Sequence, residues 1–122
     1  MGVDYYGTGP IRAIGSSVYI GISHTGKGWQ GEYLLYKLTS GPDSGRYVYV
    51  AEGIAPVRLA PGQPIKTGQV LGYFKGAIET GWGTSELNVP YALTHGGYYE
   101  GEKTVAGRQF AALLRSLGAP TP

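Results

Sequence analysis

The stretch Ala55–Tyr73, APVRLAPGQPIKTGQVLGY, decides how the rest of the chain is read. Two Gly-Gln pairs, Gly62-Gln63 and Gly68-Gln69, bracket Pro64-Ile65-Lys66, and Gly72 closes the unit. Glycine at these points permits a positive φ and a tight reversal, while Pro61 and Pro64 fix φ and interrupt the hydrogen-bond ladder. Short strands linked by sharp turns are expected. Upstream, Arg46–Ala51 sets Tyr47 and Tyr49 against Val48 and Val50, the period-two pattern of a strand. Glu32–Leu38 divides the same way, with Leu34, Tyr36 and Leu38 on one face and Tyr33, Leu35 and Lys37 on the other. In the strand Ser17–Ser23, Val18, Ile20 and Ile22 alternate with Ser17, Tyr19, Gly21 and Ser23. Ser40–Gly45 (SGPDSG) is a turn and His24–Gly31 a loop. Met1–Pro10 reads as an extended entry ending in a turn, followed by a short strand Ile11–Ala13.

Downstream, Ala77–Thr80 reads as a further short strand leading into Gly81-Trp82-Gly83. Thr84–Gly101 is polar and rich in Tyr and Gly and takes no clear element. Lys103–Leu117 is the helical segment: Val105, Phe110, Leu113, Leu114 and Leu117 form a stripe, Thr104 is placed to cap its start, and Gly118 and Pro120 end it. The 122 residues therefore read as one mostly-β domain, with a β core over 1–83, an irregular segment over 84–102 and a helix over 103–118.

Composition bounds the function. Charged residues make up 15% and the net charge is +2, with Lys and Arg scattered, which argues against a nucleic-acid partner. There is no cysteine, so disulfides, thiolate metal sites and a cysteine nucleophile are excluded. No apolar run reaches a membrane span, and the N-terminus lacks the plan of a signal peptide. Eleven tyrosines suit half-exposed strand faces, subunit contacts and sugar-contacting surfaces alike.

The order of motifs from Gly2 to Gly83 resembles the β-domain of lysostaphin-type (LytM-like) zinc endopeptidases, which cut peptide cross-bridges in bacterial cell walls. Gly2-Val3-Asp4 and Gly7-Thr8-Gly9-Pro10-Ile11-Arg12-Ala13 are similar to the family's opening Gly-x-Asp and Gly-Thr strand, with one inserted residue. Tyr19-Ile20-Gly21-Ile22-Ser23-His24 is similar to its Val-x-Ile-x-His strand, and Val57 to Gly72 to its Gly-Gln unit. Biotinyl- and lipoyl-type barrels share a similar turn, but the hairpin-tip context their carrier lysine needs is not found around Lys66 or Lys75. The resemblance implies a small β-sandwich or barrel-sandwich hybrid with one C-terminal helix. It also implies that the family's zinc chemistry is missing. The family's first histidine would fall before Met1, its His-x-His strand reads Ala77-Ile78-Glu79-Thr80-Gly81-Trp82, and its Tyr-x-His-Leu strand reads Tyr49-Val50-Ala51-Glu52. Asp4 alone remains, and a catalytic zinc needs three protein ligands. No metal and no cofactor are expected.

Glu52 and Glu79 stand roughly where the family places active-site histidines. They read as ligand contacts in one groove, as an acid–base pair for glycoside hydrolysis, or as solvated or hydrogen-bonded carboxylates. Trp82, flanked by two glycines, reads equally as a core anchor or a stacking platform. Together Tyr47, Tyr49, Glu52, Glu79 and Trp82 are expected to line a groove for a sugar or peptide. His24 reads as a structural loop residue, and a makeshift Asp4/His24/His95 metal site has no spacing signature. Three functions follow as expectations. The first is a non-catalytic module that binds peptidoglycan or another cell-surface glycan or peptide and works extracellularly, at a cell surface or on a virion such as a phage tail. The second is a self-associating virion or filament subunit. The third is a peptidoglycan hydrolase using Glu52 and Glu79.

Overall fold

The computed structural model of the protein describes residues 2–24, 31–94 and 105–117. Six strands form one antiparallel sheet: β1 (Val3–Arg12), β2 (Ser17–Ser23), β3 (Glu32–Leu38), β4 (Tyr47–Pro56), β5 (Pro64–Ile65) and β6 (Val70–Gly83). Their order across the sheet is β1-β6-β4-β3-β2-β5. A single turn of helix, α1 (Tyr91–Thr94), and a longer helix, α2 (Val105–Ser116), follow. The mostly-β class with a C-terminal helix is as expected, but the strands join in one sheet rather than in the two of a sandwich.

The Gly-Gln unit behaves as its chemistry dictates. Gln63 N–H donates to Ala60 O at 3.0 Å and Gln69 N–H to Lys66 O at 3.0 Å, closing two four-residue turns. Gly62 and Gly68 sit third in these turns at φ 85° and 79°, the left-handed position of a type II turn. Each glutamine side chain then reaches back, Oε1 accepting from Ala60 N–H at 3.1 Å and from Lys66 N–H at 3.0 Å respectively. The two turns tie the sheet's edges: Tyr19 N–H donates to Gln63 O at 2.9 Å, beside β2, while Ala13 N–H donates to Gln69 O at 2.9 Å, just after β1.

Three strands run longer than their local patterns imply. Val3–Pro10 is strand rather than an entry segment, because all of it pairs with β6. β6 spans 14 residues where only Ala77–Thr80 is expected, and β4 continues past Ala51 to Pro56. Pairing with neighbours on both sides extends β6 through glycines that weaken a strand in isolation. In β2 the burial phase is the reverse of the apolar alternation: Ser17, Tyr19, Gly21 and Ser23 are buried, while Val18, Ile20 and Ile22 are half-buried. A register shift between Tyr19 and Gly21 lies within this strand, with Ile20 packed on one face of the sheet and Tyr19 and Ile22 on the other.

Both faces of the central strands are covered. Leu34, Tyr36, Val48, Val50 and Trp82 bury one face under α2, whose Phe110 is 0% exposed. Tyr33, Leu35, Tyr49 and Ala51 bury the opposite face, against which Ile20 and Leu87 pack. Along α2 the expected stripe holds for Phe110 and Leu114, with Leu113 half-buried, but Leu117 is exposed at the helix end. The proposed cap Thr104 and the terminators Gly118 and Pro120 lie outside the described residues, as do residues 95–102 of the irregular segment; its described part, 84–94, includes α1.

Phe110 stands edge-on to Trp82, ring centroids 5.0 Å apart and planes at 83°. Truncating it to alanine leaves a cavity between helix and sheet. Phe110→Ala is expected to cost about 3–5 kcal/mol, a large share of the stability of a domain this size, read as a lower urea midpoint with α2 released first in hydrogen exchange.

Candidate functional site

The site-forming feature is a mismatch between β4 and β6. Between the pairs Glu52↔Ile78 and Ile54↔Phe74, β4 contributes one residue, Gly53, and β6 three, Lys75, Gly76 and Ala77. Those three residues stay paired with β1 through Thr8↔Lys75, Gly7↔Gly76 and Tyr6↔Ala77. Both Gly7 and Gly76 have positive φ, 138° and 96°, so the β1/β6 ribbon leaves the extended conformation in both strands at one level. β6 thus remains on β1 while it parts from β4. An open groove of about 630 Å³ lies there, lined on β4 by Glu52, Gly53, Ile54 and Ala55 and on β6 by Tyr73, Phe74 and Lys75, with Thr8, Gly31 and Glu32 at its rim.

Glu52 is held at φ 87°, a left-handed conformation that non-glycine residues rarely adopt. It pairs across the strands with Glu32, which closes an ion pair with His24 at the end of β2. Tyr73 is 54% exposed and Lys75 is exposed on the facing side.

A second constellation lies around Tyr49. Its ring stacks on Tyr33 with centroids 5.2 Å apart and planes at 7°. Its hydroxyl donates a short hydrogen bond to Glu79 Oε2. Thr80 Oγ1 donates to Tyr49 O at 2.8 Å. Burial pushes the Glu79 carboxyl above its ordinary value; the Tyr49 hydrogen bond opposes this, and the Asp4 and Glu52 carboxylates add to it. Asp4, the β1 partner of Glu79, is likewise raised, chiefly by desolvation. The Tyr49 phenol is pushed far up by burial and then by the Glu79 charge, so it serves as a donor and not as a base.

The five residues expected to share a groove are therefore divided. Glu52 lines the groove. Tyr49 is buried on the sheet face away from α2 and is bonded to the half-buried Glu79, with Tyr47 half-buried beside them under Lys37, whose Nζ is 5.5 Å from its ring centroid. Trp82 is the core anchor and not a stacking platform: it is 3% exposed on the α2 face, with the Arg46 guanidinium 3.8 Å from its ring centroid. Tyr49, at 0% exposed, likewise offers no contact surface. His24 follows β2 and sits against Glu32, and His95 lies outside the described residues. Among the described residues no group of three or more His, Cys, Asp and Glu side chains is arranged to hold a metal ion, and no helix is long and apolar enough to cross a membrane.

Glu32, Tyr73, Phe74 and Lys75 were not singled out as ligand contacts by sequence pattern. Alternation assigns faces only while register is constant, and the register shift that gathers these four leaves no mark except the isolated Gly53 and Gly76. The chain shows no match to a protein-family model, to a curated protein or to a solved structure.

Because Glu79 binds its proton more tightly folded than unfolded, its contribution to stability is fully present below the ordinary value of 4.5 and is lost as pH rises through the raised folded value. Gln at position 79 can still accept from Tyr49 and carries no charge. Glu79→Gln is expected to gain stability relative to the native chain as pH rises from 4.5 toward neutrality, read from urea midpoints of both proteins across that range.

Proposed function

We propose that this domain is a non-catalytic binding module for the peptide of the bacterial cell wall, engaged through the β4/β6 groove. The observation that carries the reading is the groove's make-up: carboxylates at Glu32 and Glu52, an ammonium at Lys75, and an apolar lining from Ile54, Phe74 and Tyr73. Its volume falls within the range of small-ligand sites. Wall peptides carry free amines, carboxylates and methyl side chains, the three chemistries that this lining complements. The likeness of Gly2–Gly83 to wall-cutting zinc enzymes supports the same setting, at a cell surface or on a virion, with binding retained and hydrolysis lost. The warrant from that likeness is an analogy of fold, which leaves the chemistry to be argued from the groove itself.

A structural subunit is the second reading, and β1 favours it. This ten-residue strand forms one edge of the sheet, with Tyr6 77% exposed, and an open edge is a template for strand addition between copies. Pro10 in the same strand blunts that edge by removing a donor.

The purified domain is expected to co-sediment with isolated sacculi without releasing soluble fragments. Tyr73→Ala is expected to weaken binding roughly ten-fold, about 1.4 kcal/mol, with the melting temperature unchanged. Absence of sedimentation, together with light scattering that grows with protein concentration, would shift the assignment to the structural subunit.

A further inference from the structure

We infer that β1 pairs antiparallel with β1 of a second copy about a two-fold axis at Thr8, each Asp4 opposite the second copy's Arg12. The domain is then a closed dimer with one sheet running through both chains, an inference independent of the groove reading. The first argument is which backbone groups face outward. β1 is an edge of the sheet and pairs only with β6 among the described residues. Just past its end, Ala13 turns both main-chain groups to the β6 side, its N–H donating to Gln69 O and its O accepting from Gly68 N–H, each at 2.9 Å. Main-chain groups alternate sides along an antiparallel strand. The odd positions of β1 therefore face β6 and the even positions face out. Pro10, which has no N–H to give, falls in the outward set, where a proline within an edge strand belongs. Pairing with β6 keeps one register from Val3 to Ile11, so the outward set is Asp4, Tyr6, Thr8, Pro10 and Arg12.

The second argument is self-complementarity. The side chains of these five residues are exposed, whereas Val3, Tyr5 and Ile11 pack toward the core. A two-fold interface needs a surface that matches its own reverse. With the axis at Thr8, an acid and a base meet at both ends of the paired strands. Moving the axis to Gly7 sets Asp4 against Pro10, moving it to Gly9 leaves Asp4 with no opposite residue in β1, and moving it to Pro10 sets two prolines face to face. Asp4 also lies beside Glu79, its partner on β6, so a guanidinium on its open side brings an opposite charge where the sheet pairs two carboxylates. Arg12 forms no ion pair among the described residues; its Nη1 donates to Gly68 O at 3.1 Å. In the same register Tyr6, 77% exposed, lies over the second copy's Pro10, whose carbonyl accepts from the Tyr6 N–H. The Tyr6 carbonyl, opposite the proline nitrogen, keeps water as its partner.

Sedimentation equilibrium of the intact domain tests this. As concentration increases, the mass is expected to rise to twice the 12.9 kDa of the chain and no further. Asp4→Arg and Arg12→Asp are each expected to weaken dimerisation by about ten-fold or more, and the two together to restore it. The chain has no cysteine, so Thr8→Cys sets a single thiol opposite its symmetry mate, at a separation a disulfide can span. On mild oxidation it is expected to cross-link the dimer far faster than Tyr6→Cys. A domain that stays monomeric into the millimolar range, association that grows past two copies, a charge swap that does not restore the dimer, or Tyr6→Cys cross-linking as fast as Thr8→Cys would each overturn the inference. The groove reading is judged separately, by whether sacculi bind the domain at all.

Discussion

Everything particular to this domain follows from the disagreement in length between β4 and β6. β6 is paired on both sides for most of its course, with β1 on one flank and β4 on the other. A strand held in that way cannot slip without turning its whole side-chain set to the wrong face. The two extra residues of β6 opposite Gly53 must therefore go somewhere, and they follow β1. Above that level Trp82, Thr80 and Ile78 keep the register that buries the core; below it Phe74, Tyr73 and Gly72 pair with Ile54, Ala55 and Pro56. The groove is the space left at the junction between these two registers.

What keeps the junction from collapsing is that each side is fixed by its own packing. On one side, the face under α2 is closed by the contact of Trp82 with Phe110 and by the guanidinium of Arg46 over the indole. On the other, Tyr33 and Tyr49 stack, and the Tyr49 hydroxyl is satisfied by Glu79. A buried phenol without an acceptor is costly, so Glu79 is better understood as the partner that allows Tyr49 to be buried than as a solvent-facing acid. Its raised proton affinity is the cost of placing a carboxylate there. Of the two glutamates, Glu79 is thus half-buried against Tyr49 while Glu52 lines the groove.

The sequence was legible where local chemistry is decisive. The two Gly-Gln turns, the alternation Tyr47-Val48-Tyr49-Val50 and the Phe110/Leu114 stripe each depend on residues within a few positions of one another, and each is found as its pattern implies. The strand extents, the phase of β2 and the place of Trp82 depend on partners far along the chain. Glycines on both sides of Trp82 gave no guidance about its burial, because what covers it is a helix some thirty residues later. Tyr47, Tyr49 and Trp82 fall in adjacent strands, yet Trp82 opposes Val48 and shares its face, so the parity of a single register pair separates the tyrosines from the tryptophan. The same long-range register hides Lys75 and Tyr73 from any reading of β6 alone.

The distribution of unfavourable features points the same way as the shape. A left-handed glutamate, a like-charged cross-strand pair and an exposed aromatic all occur within the short stretch where β4 and β6 separate. Elsewhere the β4/β6 pairing is regular and its residues well packed. Local disagreement with otherwise consistent folding rules is the expected mark of a site shaped by something other than stability.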